Sequence, residues 1–202
     1  MSSNEDKITA FWQWFVKSEK VIKECIELDS SPNQSYIVDQ MNELILDLGV
    51  FTWDVGLDTS NQWFLTISPN GNNEYLKVSQ EIMLSSPEHM NWNFHSSKLA
   101  KDWNRKFTVH SFEMEEFSVD AESWEFISTK NDENTFDLVL IASNVEHFDA
   151  DTTELVAHQF LVSELGELVT ITRIATVALV TEIEGDKEAL RTPISKLKEI
   201  IL

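Results

Sequence analysis

The chain has 202 residues and carries 35 Asp and Glu against 15 Lys and Arg, a formal net charge of −20. Such a charge repels nucleic-acid phosphates and anionic lipid, so neither nucleic acid nor membrane is an expected partner, while basic proteins and cations are. Seven Trp and twelve Phe within a 42% hydrophobic composition exclude a disordered acidic chain, which lacks aromatic residues.

The length fits one large domain or two small ones. A chain of this size buries roughly 70% of its unfolded surface and needs no disulfide or metal to fold. Cys25 is the only cysteine. It sits between Ile22 and Ile26 on a predicted helix, the setting of a structural thiol rather than a nucleophile. The polar start, MSSNEDKIT, has no apolar signal-peptide stretch, and no apolar run approaches twenty residues. A cytoplasmic location is expected.

Ile8, Phe11, Trp12, Phe15, Ile22 and Ile26 recur at helical intervals and predict a first helix. Asp29–Asn33 reads as a turn. A second helix follows over Ser35–Leu48, with Gly49 as terminator. The period then falls from 3.6 to 2. Phe51, Trp53 and Val55, then Trp63, Leu65 and Ile67, predict two strands about a turn at Gly56–Asn61. Pro69–Gly71 marks a turn, Asn73–Ser85 a helix, and Pro87 its end.

Asn91–Ser96 predicts a strand, and Phe107, Val109 and Ser111 another. Glu113–Glu122 is acidic and reads as a loop or a strand edge. Ser123–Ser128 and Phe136–Ile141 predict strands joined by a turn at Asn131–Asn134. Asp151–Leu165 is the best-marked helix, with Asp151 and Glu154 resembling a capping box and Gly166 at its end. Leu168–Glu182 is β-branched and strand-like, with a bulge expected near Arg173. Pro193 opens a short terminal helix.

The order ααββαβββββαβα predicts a single α+β domain over 1–202, with a helical hairpin at 1–50 and a sheet-containing core at 51–202. The sheet is expected to be mostly antiparallel and covered by helices. A ferredoxin-like core is one arrangement compatible with residues 62–181.

No motif of compact chemistry is present: no HExxH, no clustered Cys–His spacing, no GxSxG and no phosphate loop. No metal site and no cofactor are expected. His95 and His110 fall on successive predicted strands and alternate away from the aromatic positions, so they could share one sheet face. With Asp102 or Asp54 they form the candidate catalytic set. Solvent-facing or hydrogen-bonded histidines are the plainer reading. Glu154 and His158 stand one helical turn apart, which a cap and a surface pair explain. Ile67–Glu74 links a strand to a helix without the glycines of an anion cradle.

Lys98, Lys101, Arg105 and Lys106, flanked by Trp92 and Trp103, are the one local basic concentration. Pairing with the acidic Glu113–Glu122 stretch, within the chain or across a dimer, is expected.

The string WFLTISPNG at Trp63–Gly71, an amphipathic helix, the Pro87 break and the Trp92–Phe94 strand resemble a group of uncharacterised bacterial cytoplasmic α+β proteins. The FDLVL strand, the helix after it and Leu165-Gly166-Glu167 fit the same outline. The likeness covers about Phe51–Thr181. It implies an α+β domain and carries no biochemical role.

Two main functional readings follow. One is an acidic, non-enzymatic binding or regulatory protein that steers a basic partner through Glu113, Glu115, Glu116, Asp120 and Glu122. The other is an enzyme of unknown class built on His95, His110 and Asp102 in a pocket between sheet and helices. A self-associating protein, including a homodimer, is a third class compatible with the sequence.

Overall fold

The computed structural model describes residues 3–28, 31–111, 113–183 and 185–202. Asp29 and Ser30 of the predicted first turn lie outside these residues. The chain is α+β and packs as two compact units, residues 1–98 and 99–202, each about its own core. The helical hairpin of residues 1–50 and the strands directly after it share one core.

In the first unit, α1 (Asn4–Glu27) opens with a capping box. Ser3 Oγ accepts from the Asp6 amide, and the Asp6 carboxylate accepts from the Ser3 amide. Helices α1 and α2 (Gln34–Leu48) bury their apolar stripes, Phe11, Trp12 and Phe15 on one and Ile37, Met41 and Ile45 on the other. These meet Leu65 and Ile67 of β2 (Trp63–Ser68). Strand β1 (Thr52–Leu57) pairs antiparallel with β2, and β3 (Trp92–His95) pairs parallel with β2 after the crossover helix α3 (Asn73–Leu84). Edge-to-face rings knit the core: Trp12 against Phe94 at 4.9 Å and Phe15 against Trp92 at 5.1 Å.

The second unit begins with the ribbon β4 (Lys106–His110) and β5 (Glu116–Asp120). A four-stranded sheet follows, in the order β8-β7-β6-β9, from β6 (Glu125–Lys130), β7 (Phe136–Ile141), β8 (Ile174–Val180) and β9 (Thr192–Pro193). Helix α4 (Ala150–Leu165) places Val156, Phe160 and Leu161 in a core with Trp124, Phe126, Leu138 and Leu140. Helix α6 (Leu197–Ile201) adds Leu197 and Ile201. The two units repeat one connection: an antiparallel hairpin, then a helical crossover to a parallel strand, as β1-β2-α3-β3 and as β6-β7-α4-β8, the second crossover also holding a short helix α5 (Glu167–Arg173).

Among the described residues four of the six strand pairings are antiparallel, as expected. The ferredoxin-like core is not formed, because the strands of residues 62–181 divide among three sheets. That fold separates the parallel strands of each βαβ unit, whereas β2 and β3, and β7 and β8, are direct neighbours.

Two local expectations change. Helix α4 is capped by Asp149, whose carboxylate accepts from the Thr152 amide at 2.7 Å, not by Asp151. The predicted strand from Leu168 begins instead as helix α5 (Glu167–Arg173). Gly166, at φ +85, breaks α4 and lets a new helix start. Thr170 and Thr172 return their hydroxyls to the carbonyls of Gly166 and Leu168, so these β-branched residues are satisfied within a helix. The bulge expected near Arg173 is present as a register shift between β7 and β8 at Ile174–Thr176.

Candidate functional site

Alternation builds the β4–β5 ribbon. Val109 and Val119 are buried and Phe107 and Phe117 half-buried against the second core, while Lys106, Thr108, His110, Glu116, Ser118 and Asp120 are exposed. The register sets Lys106 opposite Asp120, Thr108 opposite Ser118 and His110 opposite Glu116. A tight connection closes the ribbon: the Ser111 amide donates to the Glu115 carbonyl, and Ser111 Oγ accepts from the Glu115 amide. Glu113, Met114 and Glu115 project at this tip, Met114 with 77% of its surface open.

All five carboxylates of the predicted binding set, Glu113, Glu115, Glu116, Asp120 and Glu122, are therefore exposed on one ribbon and its ends. Of the expected basic–acidic pairing, the structure shows Lys106 Nζ to Asp120 Oδ2 at 2.8 Å. That hydrogen bond, with a second from the Glu122 amide, holds the Asp120 carboxyl below its usual range and raises the Lys106 ammonium. Five carboxylates against one lysine leave the ribbon strongly negative. His110 Nε2 stands 3.4 Å from Glu116 Oε2.

Arg105 turns the other way. Its Nη2 donates to Glu164 Oε1 at 2.9 Å, and Trp103 Nε1 donates to Glu164 Oε2 at 3.0 Å. Glu164, 1% exposed, and Glu167 are the buried carboxylates among the described residues. The Lys101 amide also bonds the Ser163 carbonyl, so the 101–105 segment is clasped to the end of α4 directly before the ribbon begins. Sequence reading grouped Arg105 with the acidic stretch and missed Glu164. The two are 59 positions apart, and nothing local announces the pair.

The candidate catalytic residues are not brought together on a sheet. His95 ends β3 in the first unit and His110 ends β4 in the second, in different sheets, so the shared sheet face is not formed. Successive predicted strands are not neighbours here, because β3 pairs with β2 and β4 with β5. His95 is half-buried beside Phe64, and burial lowers its pKa against the opposing pull of the Asp58 charge. Asp102 is exposed ahead of β4, and among the described residues it makes no hydrogen bond or ion pair with His110. Among the described residues no three His, Cys, Asp or Glu side chains gather as a metal-holding group.

Two further places in the first unit carry chemistry-bearing groups. Lys23 Nζ lies 5.4 and 5.3 Å from the Trp63 and Trp92 ring centres and 2.6 Å from Glu19 Oε1, which also accepts from Trp92 Nε1 at 2.9 Å. These bonds hold the Glu19 carboxyl below its usual range, led by Lys23. The cluster satisfies itself. An apolar groove of about 360 Å³ runs between α1 and the segment after α3, lined by Thr9, Trp12, Gln13, Val16, Lys17, Ser85 and Pro87. It holds none of His95, His110 and Asp102. Among the described residues, no helix is long and apolar enough to cross a membrane.

Comparison with known proteins finds no matching family model, no matching curated protein and no matching solved structure.

Proposed function

We propose that this chain is a non-enzymatic binding or regulatory protein that engages a basic protein partner through the acidic face and tip of the β4–β5 ribbon. The observation that carries the reading is the exposure of all five carboxylates on a ribbon whose opposite face is anchored by Val109 and Val119. A rigid base under a dense negative face raises the encounter rate with a positive surface, and the rim charges act chiefly on association. Met114 at the tip supplies an adaptable apolar contact beside the charges. The enzymatic alternative has less support, since its two histidines lie in separate sheets.

The experiment is affinity capture from native lysate at low salt, then stopped-flow association with the retained protein across a salt series. A variant carrying Glu113→Gln, Glu115→Gln, Glu116→Gln and Glu122→Gln removes four charges at near-constant shape. Its association rate at low salt is expected to fall about tenfold, with a flatter salt dependence and little change in dissociation. An unchanged rate, or no protein retained at low salt, defeats the proposal.

A further inference from the structure

Among the described residues every sheet is open, so six strands present an edge: β1, β3, β4, β5, β8 and β9. An open edge offers unpaired backbone N–H and C=O groups to another strand, and proteins blunt such edges with charge, shortness or proline. Five of the six are blunted. β1 carries Asp54, β4 carries Lys106, and β5 carries Glu116 and Asp120. β3 has four residues, and β9 has two, one of them Pro193.

β8 is the exception. Ile174–Val180, IATVALV, has seven residues, the longest edge strand, with no charged side chain and no proline. Its one irregularity, the register shift at Ile174–Thr176, leaves Thr176–Val180 regular. The Val180 carbonyl bonds the Ala142 amide beyond β7. By two-residue alternation Thr176, Ala178 and Val180 turn their backbone toward β7, while Val177 and Leu179 turn theirs outward. Among the described residues no strand pairs with that side. Ala178 and Thr176 are exposed on the sheet face opposite α4, and Val177 and Leu179 pack toward the core.

We propose that β8 is a homodimer edge, pairing antiparallel with the β8 of a second copy about a two-fold axis through Ala178. Charge decides where a second copy can pair. A second copy carries the same excess of acid, so it can approach closely only where neither surface is charged, and β8 is the one long edge that meets this condition. Centred on Ala178, Val177 faces Leu179 of the partner copy and Leu179 faces its Val177. Each is a hydrogen-bonded pair, giving four bonds across the axis. The two Ala178 residues form the non-bonded pair between them, and alanine is small enough to meet itself there. The result is one continuous eight-stranded sheet with Ala178, Val139 and Ile127 in a row on each half.

The test is sedimentation velocity at concentrations up to about 100 µM and at two salt concentrations. The wild type is expected at twice the 23.3 kDa chain mass, with tighter association at higher salt because salt screens the repulsion between copies. Ala178→Lys makes the chain less negative, which would favour association by net charge alone. It is nevertheless expected to weaken the dimer at least about tenfold, because two ammonium groups meet at the axis. A disulfide pair checks the register. In a Cys25→Ser background, Ala178→Cys is expected to cross-link under mild oxidant, its Cα atoms about 4.5 Å apart. Thr176→Cys, about 14 Å from its copy, is not. A monomer at all concentrations and both salts overturns the inference. So does a dimer that survives Ala178→Lys and leaves Ala178→Cys uncrosslinked, since it then uses another surface.

Discussion

Replacing Arg105 by Ala tests whether the clasp on Glu164 anchors the ribbon. Glu164 is 1% exposed and Arg105 24% exposed, and their charges meet at 2.9 Å. Removing one partner of a buried pair costs about 3–5 kcal/mol, because the other charge stays in low dielectric. The remaining exposure of Arg105 lets solvent share that pair, which places the expected loss near the lower end, about 3 kcal/mol. Ala is the right probe because Arg105 sits at φ +58, where Gly would also relax the backbone and blur the measurement. In a unit of this size, such a loss lowers the unfolding midpoint by about 12–20 °C.

The companion variant is Glu164→Gln. It keeps an acceptor for Trp103 Nε1 and removes the charge, at a cost of about 1 kcal/mol, since Arg105 can turn to water. With both changes the buried charge is gone, and the double variant is expected to be more stable than Arg105→Ala alone. The cycle then gives a coupling of about 2 kcal/mol. Thermal and urea unfolding followed by tryptophan fluorescence supplies all four stabilities. If Arg105→Ala costs under about 1 kcal/mol, or the two effects add within about 0.5, the pair behaves as a surface contact and the clasp has no energetic content.

Two further outcomes are expected in the first unit. Burial lowers the His95 pKa beneath the ordinary value of 6.5, so the unfolded chain binds the proton more readily. His95 therefore contributes stability that is present above pH 6.5 and is lost as pH falls below it; urea midpoints between pH 7.5 and 5.5 should show this slope, and His95→Asn should flatten it. Asn72 Oδ1 caps α3 by accepting from the Glu74 and Tyr75 amides at 2.8 and 3.2 Å, and Asn72→Ala should cost about 1 kcal/mol in urea unfolding, an unchanged midpoint counting against the cap.

What could be read from the sequence divides by range. Helices α1 to α4 and strands β1, β2 and β7 announce themselves because apolar residues recur along the sequence at helical or alternating intervals, or, in β7, as a short apolar run. The ribbon was half legible: EFSVD alternates as a strand should, but its charges also fit a loop. Helix α5 hides because Val169, Thr170, Ile171 and Thr172 favour strands, and the return bonds by which Thr170 and Thr172 fit a helix leave no mark in the sequence. The Asp149 cap was displaced by two residues because Asp151 offers the same chemistry. The separation of His95 from His110 turns on a choice of partner: β3 pairs back to β2 across α3, while β4 pairs with β5, the next strand in the chain, and alternation within one strand does not encode that choice.

The two proposed surfaces respond oppositely to ionic strength, and that separates them without a structure of either complex. The ribbon attracts a basic partner, so added salt screens the attraction and slows encounter. The β8 edge joins two chains of −20, so added salt screens their repulsion and favours the pair. A basic partner bound at the ribbon also lowers the net charge of each chain. It therefore acts in the same sense as salt on the β8 edge: engagement of the ribbon should tighten the dimer, and by linkage dimerisation should tighten the ribbon by the same factor. That coupling needs no conformational change, only that the two surfaces share one charge distribution. Neutralising the ribbon with the four Glu→Gln changes should then strengthen self-association at low salt while weakening partner binding, a pair of opposite shifts that contact between the two surfaces is not required to produce.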